Sequence, residues 1–382
     1  MSTKKCPEHP AYKGMRKPRS GCSVCAEIYQ KQNPDPAEEV EIDLLNAQKN
    51  TEIKRLKRRY EVLLKKYREL KDIVDIFGMV NDTVGSIQIR PVPRAKLKKG
   101  NSEAVAVLAL GDWHVEERVM SAAVSGLNEF NLEICEQRVV GNLFPNFINL
   151  LKMHQQNVNI KTIMLPLLGD LISNYLHDDQ KETNLLPPIP ALKFAYELLV
   201  KGIDAILAQT NCDIKIPCVF GNHGRMTEKK RSNNKVGTSL ELVIYLWLTD
   251  HYRNESRVTV EIAAGSLLYI NVFDWVVRIH HGDNIKFHGG VGGITIPAYK
   301  AIKQWNIGRH ADLDLFGHWH QLLDLGSFIQ NGSLIGYSPY SVDIKAPFEP
   351  PTQAMFLIDR DRTPLLKRHT FLSPVMLESI SK

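Results

Sequence analysis

Short apolar runs and longer amphipathic stretches divide the chain from residue 104 onward into predicted strands and helices. Seven apolar runs predict buried strands, at residues 104–110, 162–168, 214–220, 267–273, 275–280, 313–316 and 354–358. Helical spacing of apolar residues separates the early runs, at 131–153, 191–209 and 238–252. Strands and helices alternate first, and strands then follow one another closely. This order predicts an α/β layered fold with mixed sheets for residues 104–382.

A different pattern occupies residues 36–80. Acidic residues fill its start and Gly78 lies near its end, which predicts one helix. Spacings of three and four separate the apolar or aromatic residues of this helix, which we call the heptad stripe: Ile53, Leu56, Tyr60, Leu63, Tyr67, Leu70, Val74 and Phe77. The stripe predicts either a homodimeric coiled coil through residues 53–77 or docking onto another part of the chain. Residues 81–103, with prolines and a basic cluster, are predicted to form a linker or a short hairpin.

The first 35 residues carry a C-x2-H-x12-C-x2-C pattern made by Cys6, His9, Cys22 and Cys25. Two close pairs of such ligands can converge on one tetrahedral Zn²⁺ ion. The segment has few apolar residues, so a metal would supply folding energy that burial cannot. We therefore predict a zinc knuckle with one structural Zn²⁺. The alternative is a disordered tail with unrelated thiols.

Composition places the chain among ordinary globular proteins. It has 382 residues, 43% of them hydrophobic, and a mean hydropathy of −0.21, which excludes collagen-like and largely disordered classes. No run approaches ~18 apolar residues, and the N-terminus has no apolar signal region, so we expect no membrane span and a cytoplasmic location. In that reducing compartment the six cysteines are expected to be thiols or metal ligands.

Charge is distributed unevenly along the chain. Residues 1–99 hold 22 Lys and Arg against 13 Asp and Glu, whereas residues 100–382 hold 26 against 29. Residues 49–71 alone hold ten basic and three acidic side chains. Such a block predicts contact with a polyanion, and nucleic acid is the expected partner. The alternative is a solvated helix face.

Polar side chains follow five of the predicted strands, nearly always beside a glycine. The five strand ends read Gly111-Asp112-Trp113-His114, Gly169-Asp170, Gly221-Asn222-His223, His280-His281-Gly282 and Gly317-His318-Trp319-His320. In an α/β sheet the carboxyl ends of the strands face one edge, where ligands bind. Carboxylate, amide and imidazole groups together suit first-row divalent cations. The pattern therefore predicts a metal site, with room for two ions.

These motifs resemble those of the calcineurin-like metallophosphoesterases, in which D-x-H, G-D, G-N-H, a strand-end His and G-H-x-H follow in this order. The five elements span residues 111–320, and their order is most similar to the branch that contains DNA repair exonucleases. The resemblance implies a four-layer αββα sandwich with two divalent metal ions at its edge. Mn²⁺ is the expected metal, with Fe²⁺, Zn²⁺ or Ni²⁺ as alternatives.

The resemblance also implies a role for each site residue. One metal is expected on Asp112, His114 and His320, and the other on Asn222, His281 and His318, with Asp170 bridging them. His223 would act on the leaving oxygen while a metal-bridging hydroxide attacks phosphorus. His280 is the competing candidate for the position of His281, and we expect its side chain on the opposite face of the strand.

Two loops near these motifs offer candidate substrate contacts. They contribute Arg225, Lys229, Lys230 and Arg231 after the third strand end and His177 after the second. Either loop could instead be an ordinary solvated surface loop. The glycine-rich run at residues 288–293 lacks the Lys-Ser/Thr of a P-loop and is predicted to form a flexible flap.

Together these features predict a two-metal phosphoesterase, most specifically a nuclease that hydrolyses phosphodiester bonds of DNA or RNA. One alternative is a phosphatase or a nucleotide or cyclic-nucleotide phosphodiesterase with a protein-binding N-terminus. A second alternative is a non-catalytic scaffold.

Overall fold

The computed structural model describes residues 6–19, 21–33, 35–85, 103–176, 178–230, 235–287, 293–360 and 370–376. The chain forms two units, Met1–Ala95 and Lys96–Lys382. Most of the predicted linker, at residues 86–102, lies outside the described residues, as does most of the predicted flap at 288–293.

The first unit contains two helices, α1 (Ser23–Gln32) and α2 (Pro36–Gly85). The predicted helix from residue 36 is therefore present, but it continues past Gly78 to Gly85. A single glycine costs a helix interior only about 1 kcal/mol relative to alanine. The helical residues on both sides of Gly78 offset that cost, so the glycine does not end the helix.

The second unit is built on two mixed β-sheets. The strands are β1 (Glu103–Leu108), β2 (Asn159–Met164), β3 (Asp213–Cys218), β4 (Val258–Ile262), β5 (Leu268–Val272), β6 (Trp275–Ile279), β7 (Leu313–Phe316), β8 (Leu323–Asp324), β9 (Phe328–Gln330), β10 (Thr352–Asp359) and β11 (Thr370–Met376). The six-stranded sheet has the order β11-β10-β1-β2-β3-β4, and the five-stranded sheet has the order β5-β6-β7-β9-β8. Strands β1 to β4 are parallel, as are β6, β7 and β9.

Helices accompany both sheets. They are α3 (Leu132–Glu136), α4 (Phe144–Gln155), α5 (Asp178–Thr183), α6 (Pro188–Gln209), α7 (Glu241–His251), α8 (Thr295–Gly308) and α9 (Pro339–Asp343). A π-helical turn, Gln137–Leu143, joins α3 to α4, so these two elements form the predicted helix of residues 131–153. None of the described helices combines the length and apolarity needed to span a bilayer.

Three apolar clusters define the layers of the second unit. One joins the six-stranded sheet to helices α4, α6 and α7, through residues such as Phe147, Leu199 and Ile244. Another lies between the two sheets, and a third joins α8 to the five-stranded sheet. Alternate residues of β1 enter the first two clusters, so this strand is buried on both faces. The order helix, sheet, sheet, helix confirms the predicted four-layer αββα sandwich.

Candidate metal centre

The candidate site lies where the parallel strands end. The backbone amide of Asp112, just beyond β1, donates to Gly169 O (3.0 Å), just beyond β2. In the other sheet, the amide of Gly317 donates to His281 O (2.9 Å). The amide of His318 donates to Asp112 Oδ2 (2.8 Å), which joins the two sheets at this edge. The predicted motifs are therefore in direct contact.

Two groups of donor atoms lie at this edge. In the first, His320 Nε2 is 3.2 Å from His114 Nε2 and 3.6 Å from Asp112 Oδ1. In the second, His281 Nε2 lies 2.9 Å from Asp170 Oδ2. One donor atom from each of Asp170, His281 and His318 lies within 4.8 Å of the other two.

Asn222 adds a neutral oxygen to the second group, since its Oδ1 is 3.1 Å from His281 Nε2. The other ring nitrogen, His281 Nδ1, is 2.8 Å from Leu168 O. That carbonyl fixes the direction in which the ring points. The structure thus brings together all seven side chains expected to bind metal.

The backbone carries strain at these positions. Five of the seven have a positive φ, namely Asp112, His114, Asp170, His318 and His320, with values of 48–74°. Non-glycine residues rarely occupy this left-handed region, and such strain concentrates at functional sites. The strained backbone therefore lowers the stability of the fold but directs these side chains to one place.

Glycines allow the carboxylates to approach the backbone closely. A Cβ on Gly221 would lie 1.9 Å from Asp170 Oδ1, and a Cβ on Gly317 would lie 2.3 Å from Asp112 Oδ2. Neither space admits a methyl group without moving a carboxylate. This is why the strand-end motifs contain glycine beside the donor residues.

The donor set fits divalent cations. Asp112 and Asp170 are fully buried, and Asp112 Oδ1 has no hydrogen-bond partner among the described residues. Burial raises the pKa of Asp112 to about 7. A cation would compensate the buried charge and could bind the two imidazole nitrogens that face each other here, His114 Nε2 and His320 Nε2.

Imidazole and carboxylate charges at the site oppose one another. Burial would raise the pKa of Asp170, but His281 and His223 hold it well below its ordinary value. Burial lowers the pKa of His318 to about 3 and that of His320 well below the ordinary value. Asp170 is therefore ionised and these two imidazoles are neutral, which are the forms that bind metal.

Sequence reasoning missed the side chains that hold His114. Its Nδ1 is 2.6 Å from Ser173 Oγ and 3.3 Å from Glu117 Oε1, and the Ser173 hydroxyl donates to Glu117. Burial would raise the pKa of Glu117, but His114 lowers it to about 2. Contact on Nδ1 leaves Nε2 directed at the site, as in metal centres with a supporting carboxylate. The only sequence signal for the role of Glu117 is its position three residues after His114.

A second missed residue is Glu241, at the start of α7. One carboxylate oxygen accepts from the amide of Leu171 (2.9 Å) and the other from the amide of Gly221 (2.8 Å). The carboxylate thus ties the residue after Asp170 to the residue before Asn222. Glu241 lies far along the chain from Asp170 and follows Asn222 by 19 residues, so the sequence does not indicate this contact.

His223 lies beside the donors. Its amide donates to Asp170 Oδ1 (2.8 Å), its Nδ1 is 3.2 Å from Ser173 O, and its ring is 4.9 Å from that of His114. His280 lies elsewhere, stacked on Phe316 with ring centroids 4.9 Å apart, in the layer of α8. The neighbouring residues His280 and His281, which directly follow β6, therefore face opposite sides of the sheet.

Two of the three described candidate substrate residues are engaged within the protein. Arg225 donates to the carbonyls of Asn222 (2.8 Å) and Thr227 (3.2 Å), so its guanidinium supports its own loop. Lys230 is paired with Asp283 (2.7 Å), and Lys229 is exposed. His177 and Arg231 lie outside the described residues.

Comparison with protein-family models gives no match, and comparison with curated proteins gives none. A number of solved structures are similar, and three of them serve as examples. YfcE, a phosphoesterase from E. coli, has 11% identity and a TM-score of 0.30 over 72% of this chain and 100% of that chain. Vps29 from Entamoeba histolytica, complexed with Zn²⁺, has 14% identity and a TM-score of 0.27 over 72% and 99%. A predicted phosphoesterase from Streptococcus pneumoniae has 13% identity and a TM-score of 0.26 over 70% and 97%. Sequence identities and TM-scores this low do not indicate a function for this chain.

Proposed function

We propose that the second unit is a two-metal phosphoesterase that hydrolyses phosphodiester bonds of DNA or RNA. The observation that carries this proposal is the convergence of seven oxygen and nitrogen donors from five strand ends. Two of them are buried carboxylates, and five have a left-handed backbone. A purely structural cluster would have no need for this combination of burial and strain.

The donors divide between two cation positions. Asp112, His114 and His320 would hold one cation, and Asn222, His281 and His318 would hold the other, with Asp170 shared. Bound divalent cations would supply Lewis-acid stabilisation of the phosphoryl oxygens and activation of a water molecule. Mn²⁺ is the proposed metal, because the mixed oxygen and nitrogen set suits borderline first-row ions.

The side chains around the donors perform the remaining tasks. Ser173 and Glu117 hold His114, and Glu241 fixes the separation of the second and third strand ends. His223 would donate a proton or a hydrogen bond to the leaving oxygen. Its ring orientation is fixed by the contacts of its amide and its Nδ1.

The first unit supports a polyanionic substrate. Residues 49–71 form part of α2, and this segment holds ten basic against three acidic side chains. Arg55, Lys57, Arg58 and Arg59 are all exposed. A helical segment of this charge can neutralise several phosphates of a nucleic acid, whereas a small phosphomonoester offers only one.

A substrate panel with added Mn²⁺ tests the proposal. It contains bis-p-nitrophenyl phosphate, p-nitrophenyl phosphate, and single- and double-stranded DNA and RNA. We expect hydrolysis of the diester and of at least one nucleic acid, and none by the Asp170→Asn variant. Hydrolysis of the monoester alone would favour the phosphatase alternative, and a metal-loaded protein with no activity would favour the scaffold.

We also propose that α2 pairs with a second copy of the chain. Five described residues of the heptad stripe, Ile53, Leu56, Tyr60, Leu63 and Tyr67, are 48–65% exposed. Pairing of two such stripes would remove this apolar surface from water. Sedimentation of the full chain tests this, because replacing Leu56 and Leu63 by Asp should yield monomers.

A further inference from the structure

The four predicted ligands of the N-terminal segment form a compact group of donor atoms in the first unit. Cys6 Sγ lies 3.7 Å from Cys22 Sγ and 3.8 Å from His9 Nδ1. Cys25 Sγ lies 3.5 Å from the same nitrogen. All four donors lie within 4.8 Å of one another.

These distances are those of a tetrahedron around one zinc ion. Zn–S bonds of about 2.3 Å and Zn–N bonds of about 2.05 Å place two sulfurs about 3.8 Å apart, and sulfur and nitrogen about 3.5 Å apart. The three measured distances agree with these edges to within about 0.3 Å. We propose that Cys6, His9, Cys22 and Cys25 bind one structural Zn²⁺, with His9 bound through Nδ1.

Local structure delivers the second pair of ligands. Cys22 is the N-cap of α1 but makes no side-chain capping bond, which leaves its sulfur directed at the cluster. Cys25 lies in the first turn of the same helix. Both sulfurs are thus at the positive end of the helix dipole, where negative charge is stabilised.

The loop between the two pairs closes on the other end of α1. Asn33 Nδ2 donates to Gly14 O (3.0 Å). Gly14 has a φ of +71°, and a Cβ there would lie 2.2 Å from Gln32 Oε1. The loop is therefore held against the C-terminal end of α1, the helix that carries Cys22 and Cys25 at its N-terminal end.

Burial alone does not hold this segment together. Among the described residues of 6–33, only Cys6, Gly14 and Cys25 are buried. Two thiols and a glycine are far too small a core to offset the entropy of ordering the chain. A structural zinc site contributes on the order of 10 kcal/mol of binding energy to folding, which supplies this deficit.

The site is closed, since the protein provides all four ligands of a tetrahedral ion and leaves no position for water or substrate. Its role is therefore structural, and the proposal does not depend on the function proposed for the second unit. The two kinds of site also differ in chemistry, because the described donors of the second unit include no thiolate. This difference allows them to be distinguished in the full chain.

Cobalt substitution in the full chain provides the test. We expect an intense thiolate-to-cobalt charge-transfer band and the visible spectrum of tetrahedral Co²⁺, both removed by one equivalent of Zn²⁺. Cys25→Ser should lose the band and one zinc per chain, while Cys212→Ser, a buried thiol of the second unit, should keep both. An absent band in the wild-type chain would overturn the proposal.

Two His9 variants distinguish the loss of a zinc ligand from a general loss of folding. His9→Cys should create a site of four thiolates that retains zinc, whereas His9→Ala should bind zinc more weakly. Nitrogen-15 NMR of the zinc-loaded full chain should show His9 with a protonated Nε2 and a metal-bound Nδ1. The opposite tautomer, or a His9→Ala variant with unchanged zinc affinity, would contradict the assignment.

Discussion

The two units relate metal and fold in opposite ways. In the second unit, three apolar clusters hold the strands whose ends carry the donors, so the fold creates the site. In residues 6–33 the described chain buries only two thiols and one glycine, so the metal would create the fold. Ligand loss should therefore damage function in the second unit and structure in the first.

Holding the metal-site side chains of the second unit in place lowers the free energy of unfolding. Each non-glycine residue in the left-handed region costs about 1 kcal/mol or more, and buried carboxylates add desolvation. Contacts such as those of Glu241 with Leu171 and Gly221 offset part of this cost. Because the core supplies the rest, a ligand variant of this unit should remain folded.

The largest expected effect follows from Asp170→Asn. This change removes the charge shared by the two proposed cation positions, so turnover of bis-p-nitrophenyl phosphate should fall to background. The circular dichroism spectrum should match that of the wild-type protein. Asp250→Asn, a change at an exposed residue of α7, serves as the control and should keep full activity. An active Asp170→Asn variant would exclude the proposed site.

His223→Ala should have the next largest effect. A positioned acid typically contributes ~10²–10⁴-fold to rate, and we expect kcat to fall by that amount. Metal content, measured by elemental analysis, should be unchanged, since His223 lies beside the donors and not among them. Loss of a metal ion with the activity would instead place His223 among the ligands.

The fold was predictable where the pattern was strong. The apolar runs at 104–110, 162–168 and 214–220 located the parallel strands β1, β2 and β3. The carboxyl-terminal parts of these strands are buried, which leaves a nearly continuous apolar signal. Strand β4 escaped prediction, since polar and apolar residues alternate in this edge strand and it contains no continuous apolar run. Strands β8 and β9 are too short for periodicity to register, and α8 has a weak apolar face.

The candidate site was predictable for another reason. Its donors lie two to six residues beyond the ends of their strands, so their meeting at one edge followed from the order of the sheet. Glu117 and Glu241 could not be identified in this way, because their roles depend on contacts between distant loops. The inward orientation of Arg225 was equally hidden, since a basic residue in a polar loop has the same sequence signal whether it faces substrate or its own backbone.

Glu117→Gln should have a smaller effect than the changes at Asp170 and His223. Loss of the carboxylate weakens the hold on His114 Nδ1, and such supporting groups are typically worth ~10–100-fold in metal affinity or activity. Mn²⁺ titration of activity should therefore show a higher metal requirement, with kcat largely recovered at saturating Mn²⁺. Glu129→Gln, at an exposed position, is the matched control. A loss of kcat that Mn²⁺ cannot restore would point to general misfolding.

The smallest expected effect on catalysis comes from reversing charge on α2. Replacing Arg55, Lys57, Arg58 and Arg59 by Glu leaves the heptad stripe intact and removes only exposed positive charge. Each lost phosphate contact should reduce the slope of log K against log salt by about 0.9 for duplex DNA or about 0.7 for a single strand. Nucleic-acid affinity should therefore fall, while turnover of bis-p-nitrophenyl phosphate stays at the wild-type level, because every proposed ligand of the second unit lies within residues 112–320.

A variant with Gln at the same four positions should have a nucleic-acid affinity between those of the wild-type protein and the Glu variant, which separates charge from side-chain size. Sedimentation must show the same oligomeric state in all three proteins, since loss of pairing alone would weaken binding through avidity. Unchanged affinity for DNA and RNA with pairing retained would remove the electrostatic support for a nucleic-acid substrate and favour a phosphatase.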